Sequence, residues 1–336
     1  LNQVLQKKNF VSERMFLMSN VLMVYSPVKV GTKFALSFHM RIPSLLGLLP
    51  LLLGCVGPSA SQDSDLVFIE REGLPQLLQL SESVFTGGQP VGPGFLALSE
   101  LGVQTLVNVD GAQPNLAAAR AAGLTYFHIP LDYGGISTEA ARSLERLAKE
   151  AGGPFYIHCH HGKHRGPAAA ALVMQALGEG DFNRAHRALR TASTSLDYPG
   201  LWESVENWKP APSGSPFPEL VAAASVDGFQ SGMAQIDRIW DRVKLIRAAN
   251  WKAPERHPDL SPERETQIFR EALFLCFQET EEPMVKDPQF NSVALKAISF
   301  SRNLQAGVTQ GDFDLAESSF QGAKQSCKSC HRSYRE

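Results

Sequence analysis

Cysteine is scarce in this sequence, with five in 336 residues, at positions 55, 159, 276, 327 and 330. Three of them stand alone and only Cys327 and Cys330 form a close pair, which excludes a disulfide framework. Long hydrophobic runs are also missing. The apolar stretch PSLLGLLPLLLGC, ending at Cys55, is far shorter than the roughly 20 residues a bilayer-spanning helix needs. Charge of either sign is close to balanced, at 32 basic against 34 acidic side chains. What is present is the composition of a globular protein, 43% hydrophobic and 20% charged, and the length suits two domains.

The apolar stretch follows Met40 and Arg41 and gives way to VGPSASQDSD. It resembles a bacterial lipoprotein signal, in which Leu52, Leu53 and Gly54 precede a cysteine that is lipidated after cleavage. That resemblance implies a leader over 1–39, a signal peptide over 40–54, lipidation at Cys55, a tether over 55–65, and a periplasm-facing, membrane-anchored protein. Removing residues 1–54 takes away six of the 32 basic and one of the 34 acidic residues, leaving 26 against 33. A net charge of −7 argues against a nucleic-acid partner.

Residues 209–218, KPAPSGSPFP, hold four prolines in ten positions and predict an extended linker. Upstream, over 66–208, the runs GVQTLVNV, GLTYFHIP and GGPFYIHC each begin at glycine and alternate with alanine-rich helical stretches at Asn115–Ala122 and Thr138–Ala151. That alternation predicts an α/β domain, a mostly parallel sheet flanked by helices. Downstream, over 219–336, apolar residues step by three and four: Val226, Phe229, Met233, Ile236, Trp240 and Val243; Phe290, Val293, Ala297, Phe300 and Leu304; and Phe313, Ala316, Phe320, Ala323, Cys327, Cys330 and Tyr334. A further helix should open at Ser261-Pro262 and run through Ile268, Phe269, Leu273 and Cys276, the last a core residue. Four such helices with short connections predict an all-α antiparallel four-helix bundle.

The stretch HCHHGKHRGP, residues 158–167, sets a thiol and a guanidinium six positions apart between a strand and a helix. Such a turn gathers free backbone amides and the positive end of the helix dipole, which suits an anion. A thiol in that field loses its proton more readily than a free one, and an arginine fork can hold two oxygens of a phosphoryl group. Four histidines, His158, His160, His161 and His164, could instead ligate zinc or copper. Neighbouring loop residues point in different directions, however, and a metal would leave Arg165 without a role.

CHHGKHRG resembles the HCxxxxxR motif of the protein-tyrosine and dual-specificity phosphatases, and the similarity extends over about 74–208, including VFTGGQP and TLVNVDG. The resemblance implies that Cys159 is a nucleophile forming a phosphocysteine, that Arg165 clamps the phosphate, and that amides of His160, His161, Gly162, Lys163, His164 and Arg165 complete the cradle. It also implies an acid for the leaving oxygen, with Asp132 in HIPLDYGG favoured and Asp110 in NVDGAQ as the rival. Gly166 departs from the family, which carries Ser or Thr there to help the sulfur leave. The partner implied is a phosphorylated or other oxyanion substrate; the alternative is a loop that binds an oxyanion without turnover.

The C-terminal CKSCHRSYRE carries CxxCH, the attachment motif of c-type haem. A redox disulfide or half of a zinc site are the other readings, yet the motif follows a helical stripe rather than a parallel sheet and lacks further nearby ligands. From about Phe217 the sequence resembles cytochrome c-prime. That resemblance implies one haem c attached covalently through Cys327 and Cys330, His331 as axial ligand of the iron, and Met233 as the residue on the opposite face. An electron-transfer partner or a small gas ligand would follow, and helix bundles of this kind often pair as homodimers.

Overall fold

The computed structural model describes residues 66–278 and 284–335. The leader, the apolar signal, the tether and Cys55 lie outside the described residues, which belong to one unit, Gln62–Glu336. Among them no helix is long and apolar enough to cross a membrane.

Five strands form a mixed sheet: β1 Leu78–Gln79, β2 Val84–Gly87, β3 Thr105–Asn108, β4 Thr125–His128 and β5 Phe155–His158. Their order is β1-β2-β5-β3-β4, with β1 antiparallel to β2 and every other pair parallel. The two-residue period sends alternate side chains to opposite faces. Val84, Val107, Phe155 and Ile157 pack beneath α3 Thr138–Glu150, α4 Arg165–Ala176, α5 Phe182–Thr191 and α6 Pro199–Glu206. Phe85, Leu106, Tyr126 and Tyr156 pack on the other face, with α1 Gly94–Glu100 and α2 Leu116–Ala121. The three glycine-introduced runs therefore become β3, β4 and β5, as their pattern predicts.

Register decides where the chemistry lies. Gly87 pairs with His158, His158 with Asn108, and Asn108 with His128, so these residues end their strands in one row. The loops that follow, starting at Gly88, Val109, Ile129 and Cys159, leave the same carboxyl edge of the sheet, where ligands collect in α/β folds.

The proline-rich segment forms no helix or strand, turns at Ser213-Gly214, and is fastened to the α/β portion. Ala211 N donates to Glu145 Oε2 at 2.9 Å, Arg146 Nη1 to Pro218 O at 2.8 Å, and His128 N to Val221 O at 2.9 Å. Helices α7 Gly228–Ala248, α8 Pro262–Gln278, α9 Pro288–Gln310 and α10 Phe313–Tyr334 follow. Ser261 Oγ accepts from Arg264 N at 3.3 Å and caps α8, the start its sequence predicts. The ion pairs and ring contacts run in opposite senses along neighbouring helices: Arg242 meets Glu265, while Trp240 stacks on Phe320 at 4.4 Å and Arg247 pairs with Glu317. Two residues depart from the predicted stripes. Val226 precedes the helix, whose N-cap is Asp227, and Phe313 is 43% exposed because it opens α10. Cys276 is buried, its thiol 3.5 Å from Phe229 O, in keeping with a packing role.

Candidate functional site

The loop from Cys159 to His164 joins β5 to α4 at the carboxyl edge. It is held from three sides. Gln89 N donates to His160 O at 3.0 Å, Thr194 Oγ1 to Lys163 O at 2.7 Å, and Ser195 N to His164 Nδ1 at 3.2 Å. Gly162 has φ +72°, and a Cβ there would lie 2.2 Å from Gly87 C, so only glycine lets the loop cross the end of β2. Gly166 is tight but less so: its Cβ would sit 3.0 Å from Cys159 N, where α4 approaches the start of the loop. Among the described residues, no hydrogen-bond acceptor faces the amides of His160 through Gly166. Cys159 itself is 4% exposed.

Arg165 opens α4 and is buried. Its Nη2 donates to Asp110 Oδ1 at 2.8 Å and to Tyr133 Oη at 3.2 Å, its Nη1 to Leu131 O at 3.3 Å, and its guanidinium lies 4.3 Å from the Tyr133 ring centre. The remaining donor, Nε, is buried with no partner. Burial works against the charge, but Tyr133, Asp110 and Cys159 more than offset it, and the guanidinium stays protonated. Asp110 is held as a carboxylate. Burial alone would raise its pKa, yet Arg165 and Arg238 together hold it well below the usual range. Arg238, from α7, donates through Nη2 to Asp110 Oδ2 at 2.7 Å and to Gln89 Oε1 at 2.6 Å. His128 Nε2 donates to Asp110 O at 2.8 Å while its Nδ1 accepts from Ala224 N at 3.1 Å, which fixes its tautomer and steadies Asp110.

Of the two acid candidates, Asp110 is therefore buried between two arginines and Asp132 is exposed. Asp132 follows directly on Leu131, whose carbonyl accepts from Arg165, and its Oδ1 accepts from Gln230 Nε2 of α7 at 2.7 Å.

The four histidines do not converge on one point. His158 is buried, with Nε2 2.6 Å from Tyr126 Oη, and burial lowers its pKa to about 4. His164 turns the other way, edge-on to Tyr133 and Tyr198; burial, then Arg335 and Arg165, lower its pKa to about 4. His160 and His161 face α7 instead. Their Nε2 atoms lie 2.8 and 3.2 Å from Asp241 Oδ2.

Cys327 is half-buried and Cys330 buried near the end of α10, both as free thiols. Burial raises both thiol pKa values, that of Cys327 to about 11. His331 is an exposed residue on the last turn of α10, yet desolvation of its imidazole, with Arg335 adding to the effect, lowers its pKa to about 4, so the ring is neutral. Its Nδ1 accepts from Arg335 Nη1 at 3.3 Å. The Asp237 carboxylate of α7 acts on both Cys327 and His331. Met233, one turn before Asp237, packs against the helical core. Arg335 stacks 3.7 Å from the centre of the Tyr133 ring that also meets Arg165, so the end of α10 reaches the loop region.

Sequence reasoning found the loop and the terminal motif but missed Tyr133, His128, Gln230, Asp237, Arg238 and Asp241. The α7 side chains meet partners about 80 to 150 positions away. The one available sign was the spacing of Asp237 and Asp241, four apart on a helix.

No family model matches the chain. A stretch of 120 residues is 30% identical to the beta-lactamase hydrolase-like protein of Agrobacterium fabrum, over 33% of this chain and 26% of that protein. The chain thus spans about a quarter of the length of the curated relatives it matches. Two solved structures are similar: TpbA of P. aeruginosa, at 18% identity and TM-score 0.37 over 44% of this chain and 92% of that one, and the core catalytic domain of a PP-IP phosphatase of S. cerevisiae, at 16% and 0.36 over 43% and 89%.

Proposed function

We propose that this chain is a phosphoric monoester hydrolase acting through Cys159, fused to a helical c-type haem portion. One observation carries the first half. Arg165 is buried with Nε unpaired while its other nitrogens are anchored, and among the described residues the loop amides around Cys159 have no acceptor. Leaving a buried charged donor unsatisfied is costly, and a site built to receive an oxyanion explains it.

The Cys159 sulfur attacks phosphorus, and the bond to the leaving oxygen breaks as that oxygen takes a proton from Asp132. The Arg165 Nε and the loop amides face the charge spread over the three non-bridging oxygens. Water then attacks the phosphocysteine, giving its proton to Asp132, and the sulfur leaves as an anion. Asp110 cannot be the acid, because two arginines keep it ionised; it positions the Arg165 fork. An arylphosphate assay on the wild type and Cys159→Ser tests this, and equal hydrolysis by both would remove the enzyme reading.

Helices α7 to α10 fit the proposed antiparallel four-helix bundle, and the terminal thiols of α10 fit haem attachment. Both are free and protonated, and the adjacent imidazole is neutral. Cys327 and Cys330 would hold the porphyrin as thioethers and His331 would bind the iron, which supplies an electron couple or a gas-binding centre when present. In the structure His331 accepts through Nδ1. Binding through Nε2 requires its proton to move to Nδ1, which breaks the Arg335 contact. Met233 is assigned a shielding rather than a ligating role. A pyridine haemochrome spectrum after expression with haem-attachment machinery tests the assignment, and absence of covalent haem refutes it.

The same proposal keeps the periplasm-facing location with lipidation at Cys55. A second reading has its own support. Gly166 offers no hydroxyl for sulfur departure, and Gln230 occupies one Asp132 oxygen. Together these favour a domain that binds an oxyanion without turnover.

A further inference from the structure

We propose that His160, His161 and Asp237 form a binding site for one divalent transition-metal ion of the Zn2+ class, spanning the Cys159 loop and α7, with Asp241 orienting both imidazoles. One nitrogen from each histidine and one Asp237 oxygen lie within 4.8 Å of one another. Asp241 Oδ2 sits against both Nε2 atoms, at 2.8 and 3.2 Å, and the two imidazole centres are 4.3 Å apart. Asp237 and Asp241 are four residues apart on α7 and therefore share a face.

Protein hydrogen bonds alone leave this group incomplete. Both imidazoles point at one carboxylate oxygen, His161 Nδ1 is 3.7 Å from Asp237 Oδ2, and His160 Nδ1 is buried without a partner. A tetrahedral ion with bonds of about 2.0–2.2 Å sets its donor atoms roughly 3.3–3.6 Å apart, so side-chain adjustments of about an ångström bring the three protein donors together and a water takes the fourth position. Two nitrogens with carboxylate oxygens suit zinc and its neighbours. Magnesium and calcium prefer oxygen alone. Lys244 contacts the other Asp241 oxygen and leaves Oδ2 to the two Nε2 atoms. The site does not depend on the phosphatase reading, because its atoms are side-chain groups facing α7, whereas the oxyanion cradle is made by backbone amides and Arg165.

The test titrates chelator-treated full-length protein with Zn2+ against a chromophoric chelator, then with Co2+ as a spectroscopic probe. The wild type should take one Zn2+ at this site, and Asp237→Asn and His161→Gln should each weaken it at least about tenfold. Co2+ should show ligand-field bands that both substitutions abolish, without thiolate-to-cobalt charge transfer. Equal affinity in all three proteins, no binding by the wild type, or a charge-transfer band marking Cys159, Cys327 or Cys330 as the ligand would each overturn the assignment. Should His161→Gln fail to fold by circular dichroism, Asp237→Asn decides alone, since that side chain is 36% exposed and tolerates replacement.

Discussion

Arg238 offers the most direct way to ask whether α7 contributes charge to the site. Its Nη2 lies 2.7 Å from Asp110 Oδ2, and Asp110 is 2% exposed. Removing one partner of a buried ion pair costs about 3–5 kcal/mol. Asp110→Asn strips the counter-ion from both Arg165 and Arg238, so its cost should fall within that range. Arg238→Met leaves Asp110 still paired with Arg165, and Arg238 is itself 22% exposed, so about 2 kcal/mol is expected. Once Asp110 is neutral, Arg238 has no partner to lose, and the double variant should be less damaged than the sum of the two by about 1.5–2 kcal/mol. Urea titrations of the four proteins at a constant m-value give the coupling directly. Costs that add to within about 0.5 kcal/mol would refute the bridge.

Two more predictions concern acid and the loop. His158 and His164 have folded pKa values of about 4, below the ordinary value near 6.5, so the unfolded chain binds more protons between those limits. Their stability contribution is therefore complete above about pH 6.5 and is lost as pH falls toward 4, with a slope approaching 2.7 kcal/mol per pH unit near pH 5 if both titrate fully. Asp110, whose folded pKa is depressed, adds its own loss only at lower pH, below its ordinary value of 3.8. A urea midpoint that stays flat from pH 7 to 5 would contradict this account. Gly162→Ala should abolish phosphate binding in a calorimetric titration while the helical circular dichroism signal persists, because the φ of +72° and the 2.2 Å approach to Gly87 permit no Cβ. Unchanged phosphate affinity would show that the loop is not the cradle.

Much of this was legible in the sequence where the signal is local. The runs after Gly102, Gly123 and Gly152 became parallel strands because short apolar segments bounded by glycine have few other ways to be buried. Cys159 and Arg165 lie in one turn, so their spacing alone brought them to the same loop. Asp110 and Asp132 could not be separated that way, since each follows a strand at the same sheet edge. Burial of Asp110 between Arg165 and Arg238, 55 and 128 positions away, distinguishes them. The four prolines of 209–218 signal a break in regular structure, but the fastening of that segment depends on Glu145 and Arg146, both distant in the chain. Phe313 fits a helical stripe by spacing yet sits in the first turn of α10, where no preceding turn covers it.

Acid quenching of the full-length protein during arylphosphate turnover, followed by peptide mass spectrometry, tests the central claim most directly. The account predicts a phosphoryl adduct on the peptide carrying Cys159 in the wild type, greater accumulation in Asp132→Asn if loss of base assistance slows breakdown more than formation, and none in Cys159→Ser. Turnover without an adduct in either of the first two proteins, or continued turnover by Cys159→Ser, would contradict it.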